Sequence, residues 1–401
     1  MSPHRPQGRA VGRPRSVSPL LALLGGATTL MVAMGIGRFL YTPILPDMIA
    51  AGLLDVPSAG LLASSNFLGY FVGALGAAFF ANPRARRLVL IAAIVLSVLT
   101  TLAMGLTQQA LLWHALRFAS GVVSALALVC MTAFVMEIFA AAGRAAWLGW
   151  VYGGVGIGIV LSSIEIEVLQ KQGVAWDWQW IAGGALAALL ALPALWSAIA
   201  HRPAAAPPRP LDAPPRARLF TPHMVLLLVS YGGLGIGYVV QATYLPTLVR
   251  TLPALAEFST LAWLIVGLAA APSNLFWQFA AGRLGIVPAL ILAYLVQAAG
   301  LMAPVLWHTI AGTVIGAAAL GATLVGITAL GLQQARIMAG EQAPRALALM
   351  TASFGLGQII GPYIGALLVG PDNDFLLATA TASAVLALSG VMLVPLLGRH
   401  R

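Results

Sequence analysis

Residues 35–49 read GIGRFLYTPILPDMI, and residues 235–249 read GIGYVVQATYLPTLV. Gly35, Ile36, Gly37, Leu45 and Pro46 recur as Gly235, Ile236, Gly237, Leu245 and Pro246, a constant shift of 200. A second echo sits further along. Arg144, Gly154 and Gly156 match Arg345, Gly355 and Gly357 at a shift of 201. Glycine is common in this chain, so the second echo alone is weak. Two echoes at nearly one shift point to a chain built twice from the same plan.

Both echoes lie in long apolar segments. Of 401 residues, 60% are hydrophobic and only 8% are charged, against roughly 25% charged in an ordinary soluble domain. A soluble fold of this size cannot hide that much apolar surface behind so few charges. The composition excludes a soluble enzyme, a disordered chain and a nucleic-acid reader. The formal net charge of +10 lies in loops and tails and argues for no nucleic-acid partner. The single cysteine, Cys130, excludes a disulfide within the chain and a Cys-based zinc site; in its apolar run it reads as a small core residue.

A helix needs about 20 apolar residues to cross the hydrocarbon core. Eleven windows free of Asp, Glu, Lys and Arg are long enough, and the window 284–335 spans 52 residues. One straight helix of that length would overshoot the bilayer more than twofold. It must hold two spans, with the break at Pro304 to His308, which makes twelve. A β-barrel would show short alternating strands instead. The first apolar run follows several arginines but outlasts a signal-peptide core and lacks a small-residue cleavage site, so it is expected to be a retained helix.

Loop charge sets the orientation. With the N-terminus cytoplasmic, 17 arginines fall on or near the inner side, against Lys171 and Arg250 outside. Both termini are therefore expected inside. Residues 1–17 form a basic tail. Residues 18–200 hold six spans, and residues 221–398 hold six more. Between them, 201–220 read HRPAAAPPRPLDAPPRARLF, a cytoplasmic linker with no helical period. The echoes join spans one with seven and five with eleven, which have the same orientation. The repeat is therefore parallel, about an axis along the membrane normal. Such repeats place the binding site near the midplane between the halves, and transport follows by rocking one half against the other.

A charged side chain at mid-membrane is costly unless it is paired or faces water, so it is a functional candidate. Arg38 lies deep in span one, with Tyr41 and Thr42 at i+3 and i+4 on what should be one helical face. The repeat maps Arg38 onto Tyr238 and Tyr41 onto Gln241. An arginine fork suits a carboxylate or phosphate bidentately. The plainer reading of Arg38 is a clamp on carbonyls or on a neighbouring helix. Arg117 lies in span four with His114 three residues before it. Glu165 and Glu167, near the outer end of span five, point to different sides; one could enter the cavity, although both also suit an interfacial place. Asp47, where span one leaves the membrane, reads as solvated. Pro43 and Pro46 break the hydrogen-bond ladder of span one, and Pro246 is expected to break span seven at the matching place, so the three read as hinges. Gly69 and Gly73, and Gly357, Gly361 and Gly365, stand four apart and read as sites of close helix packing. Asn66, Tyr70, Asn274, Gln278 and Gln358 read mainly as bonds between helices. Neither a metal cluster nor a catalytic set is visible. No cofactor is expected.

The twelve spans, the basic central loop and the six-plus-six repeat resemble the major facilitator superfamily over essentially the whole chain. GIGRFLYTPILPDM resembles the signature of its YbfB/YjiJ branch, and LRFASG, with Arg117 and Gly121, resembles the Arg-containing motif of the fourth helix. The loop motif between helices two and three is degraded: ANPRARR keeps the arginines and lacks the Asp, and its counterpart GRLG keeps only Arg283 and Gly285. The resemblance implies that helices one, four, seven and ten line a central cavity. Arg38, Tyr41, Tyr238 and Gln241 would then surround one pocket, and Arg117 would serve proton-coupled movement or be tied structurally to carbonyls.

These readings lead to an all-α membrane protein of twelve helices in two pseudo-symmetric six-helix bundles, in a bacterial cytoplasmic membrane. It is not an enzyme. The expected activity is secondary transport of a small organic anion held by Arg38, Tyr41, Thr42, Tyr238 and Gln241. Arg117, His114, Glu165 and Glu167 are the coupling candidates, with protons as the coupling ion. A monomer in the lipid bilayer suffices. The rivals are a proton-driven multidrug exporter, which would need an acid for cationic substrates, and a membrane sensor or scaffold that does not transport.

Overall fold

The fold is known from a computed structural model that describes residues 17–77, 79–80, 82–201, 220–370 and 374–399. The tail through residue 16, and the linker apart from His201 and Phe220, lie outside the described residues. Twelve helices are long and apolar enough to cross a membrane: Pro19–Ala50, Val56–Ala77, Pro83–Met104, Ala110–Ala141, Ala145–Lys171, Trp176–Ala200, Pro222–Arg250, Pro253–Leu284, Ile286–Leu306, Ile310–Ala339, Arg345–Leu367 and Leu376–Leu397. They are numbered span one to span twelve. The 52-residue window divides as its length requires, with the break between Leu306 and Ile310.

Local sequence explains where the spans start and turn. Ser18, Asn82, Thr221 and Thr309 each accept a backbone N–H of the first turn that follows. That satisfies donors which a helix start leaves unpaired. Proline follows three of these caps, where its missing N–H costs nothing. Between spans eight and nine a single residue makes the turn. Gly285 sits at φ +91°, a region that an L side chain rarely adopts. At the end of span six, Arg87 donates through Nε to the Ala198 carbonyl (2.8 Å) and through Nη2 to the Ile199 carbonyl (2.7 Å). A cation there complements the helix C-terminus.

The two sets of six meet along two main seams, span five on span eight and span two on span eleven. Small residues set how closely helices pack. A methyl group on Gly69 or Gly73 would strike the backbone of Phe118 or Val122 in span four, and one on Gly357 or Gly361 would strike span seven. The glycines four apart are thus packing surfaces, as their spacing indicates. Without a hydrophobic drive between helices in lipid, such backbone approach supplies much of the association.

Span one is irregular. Its α-helix runs to Leu30, a π-helical stretch covers Met31–Ile36, a turn covers 37–40, and the α-helix resumes at Tyr41. The turn at 37–40 has a cause just downstream. Pro43 has no N–H to offer the Phe39 carbonyl, and Thr42 N–H takes that carbonyl instead at 3.2 Å. Span seven behaves differently. Its α-helix runs unbroken from Pro222 to Arg250 through Pro246. The expected break at Pro246 is not there, because the carbonyl that Pro246 leaves without a helical donor is satisfied from outside the helix.

Candidate functional site

That carbonyl belongs to Ala242, four residues before Pro246. The Thr42 hydroxyl of span one donates to it at 2.8 Å. Thr42 and Ala242 are repeat counterparts. So are Arg38 and Tyr238, and these two also approach across the centre, where the guanidinium lies within electrostatic reach of the phenol. Spans one and seven therefore face each other along one line of equivalent positions, 38 with 238 and 42 with 242, one helical turn apart.

Tyr41 and Gln241, the next equivalent pair, turn the other way. The Tyr41 hydroxyl donates to the Ala59 carbonyl (2.9 Å), and its ring stacks on Trp180 of span six at 6.5 Å and 29°. Gln241 lines a pocket inside the second half, with Leu301 and Pro304 of span nine and Phe375 and Thr379 of span twelve. The single-face reading of Arg38, Tyr41 and Thr42 fails because it assumes a regular helix. The turn at 37–40 rotates Arg38 away from Tyr41, and Arg38 and Tyr238 approach each other while Tyr41 and Gln241 remain within their own halves.

Arg38 is 3% exposed. Its guanidinium lies 4.3 Å from the ring centre of Tyr70 and 4.7 Å from that of Phe67, both on span two. Aromatic faces attract a cation, and the Tyr70 hydroxyl also lies within hydrogen-bonding reach of the guanidinium. Nε and Nη2 are buried and have no hydrogen-bond partner among the described residues. These two nitrogens form the side-on fork that binds a carboxylate through two parallel N–H···O bonds. Tyr70 and Tyr238 lie within electrostatic reach of Arg38 and of each other, and beyond them Tyr231 and Tyr152 lie within reach of Tyr70. They come from spans two, five and seven and make up four of the chain's eight tyrosines. Tyr238 stacks on Phe354 of span eleven at 5.6 Å and 7°, and Gln358 donates to the Tyr238 hydroxyl. Tyr70, Tyr152, Phe354 and Gln358 escaped the sequence-based site. Gln358 stands three residues from the repeated Gly355, which was the available signal. Phe354 and Tyr152 gave none.

Arg117 is also 3% exposed and has a different task. It donates to the carbonyls of Gly37 (3.4 Å) and Arg38 (3.2 Å), and its guanidinium lies 4.8 Å from the Tyr41 ring centre. Ser120 adds a bond to the Gly37 carbonyl at 2.8 Å. Span four thus takes up carbonyls that the irregular stretch of span one leaves open. Asn66 of span two donates in turn to the Arg117 carbonyl at 2.9 Å. His114 Nδ1 lies 2.7 Å from the Ser65 hydroxyl.

At the end of the bundle where span one finishes and span two begins, the halves are tied. Asp47 is only partly exposed and is tied to other side chains, where its place in the sequence suggested a solvated acid. It forms an ion pair with Arg250 of span seven and accepts from Gln170 (2.8 Å) and Gln179 (2.7 Å). Thr260 of span eight donates to Gln170 at 2.5 Å, and Tyr244 donates to the carbonyls of Pro362 (3.0 Å) and Val56 (3.4 Å). Glu167 pairs with Lys171 at 3.0 Å. Glu165, two residues earlier, has a buried Oε2 with no hydrogen-bond partner among the described residues. The two acids are thus unlike: Glu167 is paired, and Glu165 keeps a buried oxygen without a partner among the described residues.

Comparison with known proteins places this geometry in a family. The model of the family described as "Uncharacterised MFS-type transporter YbfB" matches residues 30–394. A search of curated proteins gives no significant match. Among solved structures, the D-xylose–proton symporter is similar at a TM-score of 0.72 and 16% identity, over 94% of this chain and 96% of that one. A mutant of the nucleoside transporter NupG is similar at 0.70 and 16% identity, over 93% of this chain and 100% of that one. NupG itself is similar at 0.65 and 14% identity, over 94% and 99%. At these identities the likeness speaks for the fold: two six-helix halves in one chain.

Proposed function

We propose, for a chain that belongs to the family of the uncharacterised MFS-type transporter YbfB, that it carries a small organic anion across a bacterial cytoplasmic membrane, with Arg38 as the anion's counter-charge. The protein is a multi-pass membrane protein with twelve spans. The observation that supports the proposal is the fork of Arg38: Nε and Nη2 are buried on the line where the halves face each other and lack a partner among the described residues. Burying a charged donor pair unsatisfied costs several kcal/mol. Arg117, the structural clamp, spends both Nη atoms on carbonyls and leaves Nε alone without a partner among the described residues, whereas Arg38 leaves both nitrogens of its fork. A carboxylate or phosphate entering the centre would restore both bonds. Tyr238 and Gln358 would then add neutral polar contacts.

With 18–200 and 221–398 as the rocking halves and both termini cytoplasmic, the ties at Asp47, Gln170 and Tyr244 fall on the outer side. The structure then corresponds to a transporter closed outside, with Pro43 and Pro46 beside the irregular stretch of span one where bending is easiest. Proton coupling falls to Glu165, whose buried, unpartnered Oε2 supports that reading. Arg117 and His114 already have bonding partners and support the frame.

The test is a thermal-shift screen on purified protein, with organic anions and lipophilic cations side by side. A ligand that binds the native fold raises apparent stability by mass action. Anions should stabilise the wild type and not Arg38→Ala. Stabilisation by cations alone, equal in the variant, would overturn the proposal in favour of a drug exporter.

A further inference from the structure

We infer that the anion is a planar aromatic carboxylate, an aryl acid whose ring lies against the Phe354–Tyr238 wall while its carboxylate takes the Arg38 fork. The inference rests on the organic-anion reading and narrows it. Its ground is the company that Arg38 keeps. A transporter for small hydrophilic acids would be expected to surround the fork with hydroxyl and amide donors, which would match the substrate's own hydroxyls. Here rings lie against the guanidinium, and the hydroxyls within its reach are those of Tyr70 and Tyr238. Phe67 and Tyr70 lie against the guanidinium, and Tyr238 and Phe354 stack nearly parallel, 7° apart, with Tyr231 tilted against Phe354 at 5.1 Å.

The wall comes from both halves' seams. Tyr70 and Phe67 are on span two, Tyr238 is on span seven and Phe354 is on span eleven. Spans two and eleven form one of the two seams between the halves, and next to Phe354 the Gly355 position lies against Phe71 of span two. A flat ring inserted there touches elements of both halves at once. Aromatic rings favour offset stacked or edge-on neighbours and reward a planar ligand beyond the area it buries. A saturated ring of the same size and charge cannot make those contacts. Gln358 turns its N–H onto the Tyr238 hydroxyl, while its own Oε1 is buried and free. That fixes the Tyr238 ring in the wall and leaves one acceptor near the site.

The experiment compares benzoate with cyclohexanecarboxylate, which share charge and approximate size and differ in planarity. Affinity is read by titration of thermal stability in the purified full chain. Wild type should bind benzoate about fivefold more tightly or better. The preference should disappear in Phe354→Leu and persist in Tyr238→Phe, which keeps the ring. The wild-type ratio needs no variant, so the inference is decided even if Phe354→Leu fails to fold. Equal affinity for both acids, lost in Arg38→Ala, would overturn the aromatic assignment and leave the organic-anion reading standing. Stabilisation by neither acid would overturn the aromatic assignment, and stabilisation by both equally in Arg38→Ala would overturn the organic-anion reading itself and the assignment with it.

Discussion

The Thr42 hydroxyl donates to the carbonyl of Ala242, its own counterpart 200 residues later. Pro246 creates the opening by withholding the helical N–H that would normally reach that carbonyl. One proline thus supplies an acceptor on span seven, and one threonine on span one uses it to hold the halves together. Thr42→Val keeps the shape and removes the donor. It leaves a buried carbonyl unsatisfied, at a cost of about 1–3 kcal/mol to the outer-closed state. Opening of the outer end should rise about tenfold. Labelling of a cysteine placed at Thr247, in a Cys130→Ser background, by an impermeant maleimide reads this directly. Unchanged labelling would mean that the bond does not hold the seal.

Asp47 and Arg250 supply the second tie. Both side chains are partly exposed, so the pair alone is modest. Its weight comes from Gln170 and Gln179, which converge on the same carboxylate. Asp47→Asn and Arg250→Gln should each raise the same maleimide labelling several-fold. The exchange Asp47→Arg with Arg250→Asp should recover part of the closure. A double exchange more open than either single variant would contradict a pairwise latch.

Glu165 and Glu167 separate cleanly. Glu167 pairs with Lys171, which is 70% exposed, so Glu167→Gln should leave transport near wild type. Glu165→Gln should abolish accumulation driven by a proton gradient while sparing exchange of substrate at equal concentrations. Accumulation at the wild-type level in Glu165→Gln would remove this carboxyl from coupling.

His201 offers a pH signature outside the spans. It is buried in a pocket with Arg86, Arg87, Cys130, Phe134 and Glu137, and neither ring nitrogen has a hydrogen-bond partner among the described residues. Burial holds its pKa below the ordinary histidine value, against Glu137, which pulls it up; Arg87 also lowers it. The unfolded chain therefore takes up the proton first as pH falls. The His201 contribution is complete above the ordinary histidine value and is lost as pH drops through it towards the folded pKa. The melting temperature should fall over that window, and His201→Phe should flatten the slope. An identical slope in the variant would assign the pH dependence elsewhere.

How much the sequence could say depends on which physics each feature uses. The twelve spans were legible because the bilayer sets helix length and apolarity directly. The division of the 52-residue window followed from length alone. The pairing of Arg38 with Tyr238 was legible through the repeat, since equivalent residues near a two-fold axis meet each other. What failed was side-chain direction. Tyr41 turns into its own half because the π-helical stretch and turn before it break the i, i+3 rule, and no residue pattern reports that rotation; nothing in the regular helix of span seven explains why Gln241 does the same. Asp47 was misread as solvated because its partners lie 123 to 203 residues away. Phe354 and Tyr152 reach the site only through packing between spans, which a one-dimensional reading does not contain. Arg117 shows the opposite case. The sequence left it between coupling and a tie to carbonyls, and its bonds go to the carbonyls of Gly37 and Arg38 in the irregular span one.

The central claim is that Arg38 holds the anion during transport. The most direct measurement is counterflow of a labelled aryl carboxylate in sealed proteoliposomes, comparing wild type, Arg38→Lys and Arg38→Ala. The account predicts exchange by the wild type, a loss of most activity in Arg38→Lys because a point charge does not reproduce the fork, and none above background in Arg38→Ala. Full exchange by Arg38→Ala, in protein that folds and reconstitutes normally, would contradict it.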